Sequence, residues 1–156
     1  MDPDRIDLRI LALLQNNARI SNKELAAAVG LSPSTCLERV RKLRVAGVVK
    51  GFHAEVDPSA LGIGLQALIA VRLQRHTRAL VEGFRVHALS LPEVRAVYHV
   101  AGVTDFLVHV TVRDADHLRN LAMDAFTARR EVAHIETSLI FDYTRSPMLP
   151  MPVTNP

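Results

Sequence analysis

Ser21-Asn22-Lys23-Glu24-Leu25-Ala26-Ala27-Ala28-Val29-Gly30-Leu31-Ser32-Pro33-Ser34-Thr35-Cys36-Leu37-Glu38-Arg39-Val40-Arg41-Lys42-Leu43-Arg44-Val45-Ala46-Gly47 decides the fold. Ser21 and Glu24 have the spacing of a capping box, in which each side chain satisfies a backbone N–H that the helix leaves unpaired. The helix they open has Leu25, Ala26 and Val29 as its apolar face. Gly30 stands where a helix C′ residue turns left-handed at no steric cost. Ser32 is a second N-cap, with Pro33 at N1, where its missing N–H costs nothing. The next helix runs to about Ala46 and Gly47 closes it. Two helices joined by Gly30-Leu31-Ser32 predict a helix-turn-helix.

The two sides of the later helix differ. Cys36, Val40, Leu43 and Gly47 recur at i, i+4, i+7 and i+11, a seam of small and apolar residues for packing. Cys36 reads as a core residue. The other side carries Ser32, Ser34, Thr35, Glu38, Arg39, Arg41 and Lys42. Hydroxyls at a helix N-terminus followed by arginines suit a helix entering a major groove, where Arg reads guanine edges and Lys meets phosphates. Arg39 is the leading base-edge candidate, with Arg41 and Lys42 as phosphate contacts.

Outward from this stretch, the charge distribution agrees. Residues 31–50 hold Arg39, Arg41, Lys42, Arg44 and Lys50 against Glu38 alone, a local +4, whereas the whole chain is only +3. Such a cluster is the footprint of phosphate binding. Upstream, Asp4-Arg5-Ile6-Asp7 predicts a capped helix start with acids where the dipole favours them. Ile6, Ile10, Leu13 and Leu14 follow at helical spacing and stop at Gln15-Asn16-Asn17.

Downstream, Val48–Val56 has the β-branched, alternating character of a strand, the wing of a winged helix-turn-helix. Asp57-Pro58-Ser59-Ala60-Leu61-Gly62-Ile63-Gly64 breaks it and marks a hinge. Beyond the hinge the rhythm changes. Leu65–Gln74 alternates as a strand, and Thr77–Ser90 has helical spacing ended by Pro92. Val94–Val100 and Phe106–Val112 are strands joined by Gly102-Val103-Thr104-Asp105. Asp114 caps a helix, and a last strand covers about Val132–Asp142. The order βαββαβ predicts a ferredoxin-like sandwich, so the chain is α+β. The expected divisions are 1–50 for the helix-turn-helix, 51–64 for strand and hinge, 65–145 for the ferredoxin-like domain and 146–156 for an irregular Pro-rich tail.

Composition narrows the classes further. Of the 156 residues, 49% are hydrophobic and 22% charged, which excludes wholesale disorder. One cysteine gives neither a disulfide framework nor a Cys-rich metal site. The seven histidines show no ligand spacing; His99 and His109 in adjacent strands are the one conceivable metal pair, and ordinary sheet histidines fit better. The start Met1-Asp2-Pro3-Asp4 has no apolar signal region, and no apolar run approaches the roughly 18 residues of a membrane span. A cytoplasmic, nucleoid-associated location is expected, with no membrane contact. Two small domains in so short a chain each bury little surface, so a homo-oligomer is expected.

The motifs carry a resemblance. Glu24-Leu25-Ala26, Val29-Gly30-Leu31-Ser32, the run Leu31–Leu43, Gly47-Val48-Val49-Lys50-Gly51-Phe52 and Gly102-Val103-Thr104-Asp105-Phe106 together resemble the Lrp/AsnC family of feast/famine transcriptional regulators over about residues 4–145. The resemblance implies a dimer built through the ferredoxin-like domains, with octamers of four dimers common. It also implies no cofactor but an amino-acid effector bound between subunits near the glycine-to-aspartate turn. Two-fold symmetry then predicts double-stranded DNA with a pseudo-palindromic operator. Many members have an aromatic residue where this chain has Thr104, so the pocket is this chain's own.

At that turn, Gly102 lets backbone approach a ligand. Asp105 can accept from an α-ammonium group, the amides of Val103 and its neighbours can donate to a carboxylate, and Thr104 can serve either. Tyr98 and Ser138 are further lining candidates, beside His99, Met123, Glu136 and Thr137. Two other functions compete: an architectural DNA-binding protein without effector gating, and a small dimeric α+β enzyme. The enzyme reading lacks a nucleophile elbow, a phosphate loop and a Ser/His/Asp grouping.

Overall fold

The computed structural model describes residues 2–146 and 148–150. The chain forms two compact units: one from the N-terminus through Glu55, joined by the described residues from Thr144 onward, and one from Val56 to Tyr143.

In the first unit, α1 spans Arg5–Asn16, α2 Asn22–Val29 and α3 Pro33–Val45. Each start follows from a cap. Asp4 accepts from the Asp7 amide while the Asp7 carboxylate accepts from the Asp4 amide, a complete capping box. Ser21 and Glu24 form a second one, and the Ser32 hydroxyl caps α3. Gly30 sits at φ 74°, so the chain reverses between α2 and α3 where a Cβ would be strained. The three helices close on Ile10, Leu25, Ala26, Val29, Cys36 and Leu43. Cys36 is fully buried there, and burial pushes its thiol above the ordinary value, so it is a core residue.

The expected strand over Val48–Val56 is absent: these residues carry no helix or strand. Its physical reason is pairing. A strand is defined by a ladder partner that takes up its N–H and C=O groups, and this alternating segment has none among the described residues. The tail expectation falls outside the described residues for 147 and 151–156; the described residues between 144 and 150 carry no helix or strand.

In the second unit, a 3₁₀ turn at Pro58–Leu61 precedes β1 (Leu65–Leu73), α4 (Arg78–Ser90), β2 (Val94–His99), β3 (Phe106–Val112), α5 (Ala115–Leu121) and β4 (Val132–Ile140). A π-helical turn over Ala122–Thr127 extends α5. The sheet is antiparallel in the order β2-β3-β1-β4, the ferredoxin-like topology. One face is covered by α4 and α5. Ala67, Ile69 and Val71 from β1 and Phe106, Val108, Val110 and Val112 from β3 are buried there with Phe84, Ala88, Leu118 and Phe126. Phe84 centres this core, 4.7 Å from Phe106 and 6.1 Å from Phe126 between ring centroids.

The opposite face carries the alternate residues, Gln66, Leu68 and Ala70 of β1, Leu107, His109 and Thr111 of β3, and Tyr98 of β2. No helix of the unit covers it. Phe84→Ala removes a fully buried ring and is expected to cost about 3–5 kcal/mol. Chemical denaturation at one protein concentration measures this; a loss below about 1 kcal/mol would contradict the core assigned here.

Candidate nucleic-acid interface and ligand site

The N-terminus of α3 is a cluster of hydroxyls. Ser32 Oγ lies 3.0 Å from Ser34 Oγ and 2.8 Å from Thr35 Oγ1, and it accepts from the Thr35 amide at 3.2 Å. All three residues are exposed. One turn on, Arg41 holds Glu38 with two hydrogen bonds of 2.9 and 2.8 Å, and that pair keeps the Glu38 carboxyl below the ordinary carboxylate value. Lys42 is exposed and forms no hydrogen bond or ion pair among the described residues. Arg44 and Lys50 are likewise exposed; their place in the +4 segment was the only sequence signal for them. Asn22 secures the turn by donating to the Pro33 carbonyl at 2.8 Å.

Arg39 departs from the sequence expectation. Its Nη1 donates to Asp4 Oδ2 at 2.7 Å and to Asp7 Oδ1 at 2.9 Å. Asp7 is buried, and a buried carboxylate without a partner is costly, so the guanidinium is drawn back onto the start of α1. The leading base-edge candidate is thus engaged within its own unit and ties α3 to α1. Asp7, Ser34, Thr35, Glu38, Arg39 and Lys42 together line a cleft of about 530 Å³.

At the glycine-to-aspartate turn, Gly102 adopts φ 150°, a value that L side chains rarely take. Val103 is 86% exposed, whereas the Asp105 carboxylate is turned inward. Its Oδ2 accepts from the Leu73 amide at 2.7 Å and its Oδ1 lies 2.7 Å from His76 Nε2. The Asp105 amide donates to the Val71 carbonyl and its carbonyl accepts from the Val100 amide, both at 2.9 Å. Asp105 therefore pins the β2–β3 turn to the end of β1, and His76 joins it from the loop before α4. The motif reading had Asp105 and omitted His76, which has no spacing signal.

Tyr98 and Ser138 are not gathered at this turn within one chain. Tyr98 stands opposite Leu107 and Ser138 opposite Leu68, on β2 and β4 at the two edges of the sheet. Tyr98 instead lines a cleft of about 300 Å³ on the open face with Leu68, Val100, Leu107, His109, Ile140 and Tyr143. His109 is buried beneath it, 2.9 Å from Gln66 Oε1 and edge-on to Tyr143 at 5.2 Å. Burial, with Arg95 adding, pushes its imidazole below the ordinary value. His99 pairs with and stacks on Phe106 at 4.8 Å, whereas His109 pairs with Ala96, three positions away along β2, so the two histidines make no metal pair. No three His, Cys, Asp or Glu among the described residues form a metal group.

Residues 3–50 match the winged helix-turn-helix DNA-binding family, and residues 66–147 match the Lrp/AsnC ligand binding domain. The HTH-type transcriptional regulator AldR of Mycolicibacterium smegmatis is 46% identical over 144 residues, 92% of this chain and 84% of its own. The leucine-responsive regulatory protein of Rhizobium meliloti is 38% identical, covering 87% of each chain. Among solved structures, a transcriptional regulator of Neisseria meningitidis in complex with L-Met superposes with a TM-score of 0.82 at 31% identity, over 92% of both chains.

The chain belongs to the Lrp/AsnC family. It is a DNA-binding transcriptional regulator with a ligand-binding domain, and its relatives are regulators, not enzymes. No helix among the described residues is long and apolar enough to cross a membrane. In this Lrp/AsnC chain, the geometry gives Arg39 a fastening role between α3 and the start of α1. The Asp7 amide, then Arg39, holds the Asp4 carboxyl below its ordinary 3.8. A lowered carboxyl stabilises the fold above its unfolded value and loses that contribution as pH falls through the folded one. Arg39→Ala is expected to lower the melting temperature of the N-terminal unit near neutral pH, with the gap to wild type closing in acid. Melting followed by circular dichroism from pH 7 down to about 2 measures this; equal melting temperatures at neutral pH would show the triad to be idle.

Proposed function

We propose that this chain regulates genes of amino-acid-related metabolism by binding a specific operator under the control of an amino-acid-like effector held between subunits. The observation that carries the reading is the Gly102–Asp105 turn inside a ligand-binding domain. Asp105 fastens the turn to the sheet, which leaves Gly102, Val103 and Thr104 as an ordered, accessible backbone edge for a small zwitterion. The leucine-responsive and L-Met-bound relatives support the ligand class.

Residues 1–50 read DNA, residues 51–64 link, and residues 65–145 assemble and sense. On the DNA side, Lys42 and Arg41 meet phosphates, while Ser32, Ser34 and Thr35 present hydroxyls at the tip of α3. Arg39 orients α3 and reaches bases only if it leaves Asp4 and Asp7. The sheet's open face pairs two subunits into a homodimer and gives two reading helices, which fits a pseudo-palindromic operator. Dimers then join into a higher oligomer such as an octamer. Tyr98 and Ser138, apart in one chain, belong to the effector site through this assembly. Effector binding favours one quaternary arrangement and so resets the spacing of the DNA-reading units. The site of action is the cytoplasm, on the nucleoid.

Two measurements test this. Each of the twenty proteinogenic amino acids is scanned for a rise in melting temperature, and at least one is expected to stabilise the protein and change operator affinity; none doing so would remove the effector. Operator binding is expected to exceed random-sequence binding by about 10³ or more, and Lys42→Ala to weaken both and flatten the salt dependence by about one phosphate. Equal affinity for operator and random DNA would favour a purely architectural role.

A further inference from the structure

We infer that His76 is a ligand-binding residue of this protein, forming with Asp105 a corner that receives a primary ammonium group. The inference rests on the effector reading above and deepens it. His76 Nε2 stands 2.7 Å from Asp105 Oδ1. A carboxylate only accepts, so Nε2 carries the proton of that contact, and in the neutral ring this leaves Nδ1 as an acceptor.

The two partners differ sharply in access. The His76 side chain is 63% exposed and that of Asp105 only 15%. Asp105 already accepts from the Leu73 amide and from His76, so much of its capacity is spent inside the fold. The open acceptor at this corner is therefore the imidazole, oriented by a carboxylate that the sheet itself immobilises. An acceptor backed by a negative charge selects a cationic N–H donor over a hydroxyl. Arg75 and Arg78 stand one and two residues from His76 in the chain, exposed and without an ion pair among the described residues, and supply positive charge for the carboxylate of the same zwitterion.

The test separates binding from fastening with three variants. His76→Ala removes the ring. His76→Gln keeps a donor for Asp105 and a 1,3-disposed acceptor. His76→Lys keeps an ion pair with Asp105 but has no acceptor. Each is checked for an unchanged melting temperature. Calorimetry then measures the strongest-binding proteinogenic L-amino acid against its α-hydroxy acid counterpart. The preference for the amine is expected to fall about tenfold or more in His76→Ala and His76→Lys and to persist in His76→Gln. Wild-type preference in His76→Lys would reduce His76 to a fastener of Asp105 and overturn the assignment. Binding of no amino acid by the wild type would overturn the effector reading itself, and this corner with it.

Discussion

A sheet covered on one face only is the constraint from which the rest of this molecule follows. Helices α4 and α5 shield Ile69, Val71, Phe106 and Val108, while Leu68, Leu107, Tyr98 and Ile140 belong to the face that no helix of this unit covers. Apolar surface of this kind is stabilised by burial against something else. In the proposed homodimer a second copy covers it. A pair of subunits then carries two helix-turn-helix units, which matches the two-fold symmetry of operators. The buried His109 lies on this same face, where its Nε2 meets Gln66 Oε1 and its ring packs edge-on against Tyr143.

The proposed ligand site depends on a different constraint. A turn between two strands is ordinarily a mobile place, yet Asp105 exchanges hydrogen bonds with Val71, Leu73 and Val100. That immobilises the backbone around Gly102 without covering it. Preorganisation of this sort lowers the entropy cost of binding. It also means that the Asp105 carboxylate is partly committed within the fold, to the Leu73 amide and to His76.

Much of this was legible in the sequence, for local reasons. Caps act within three residues, so Asp4, Ser21, Ser32 and Asp114 announced their helices, and Gly30 announced the turn. The alternation in β1 and β3 is a period-two signal that needs no tertiary information. What stayed hidden was non-local. Val48–Val56 has strand composition but no ladder among the described residues. The ion pairs of Arg39 were hidden because its partners lie 35 and 32 positions away, and because Asp4 and Asp7 already had a sufficient explanation as capping acids. His76 and Asp105 meet across 29 positions through a sheet register that periodicity does not reveal. Tyr98 and Ser138 fell apart because the order β2-β3-β1-β4 sends their strands to opposite edges.

Sedimentation velocity of the wild type beside Leu107→Glu tests the use of the open sheet face most directly. Leu107 sits on that face and lines its cleft, so a buried, unpaired carboxylate there opposes pairing without touching the helix-covered core. The wild type is expected to sediment as a dimer or a multiple of it, and the variant as a folded monomer that no longer holds a two-half-site operator. A variant that sediments as the wild type does, or a wild type that is monomeric at micromolar concentration, would contradict the claim that the bare face is what makes this chain a regulator.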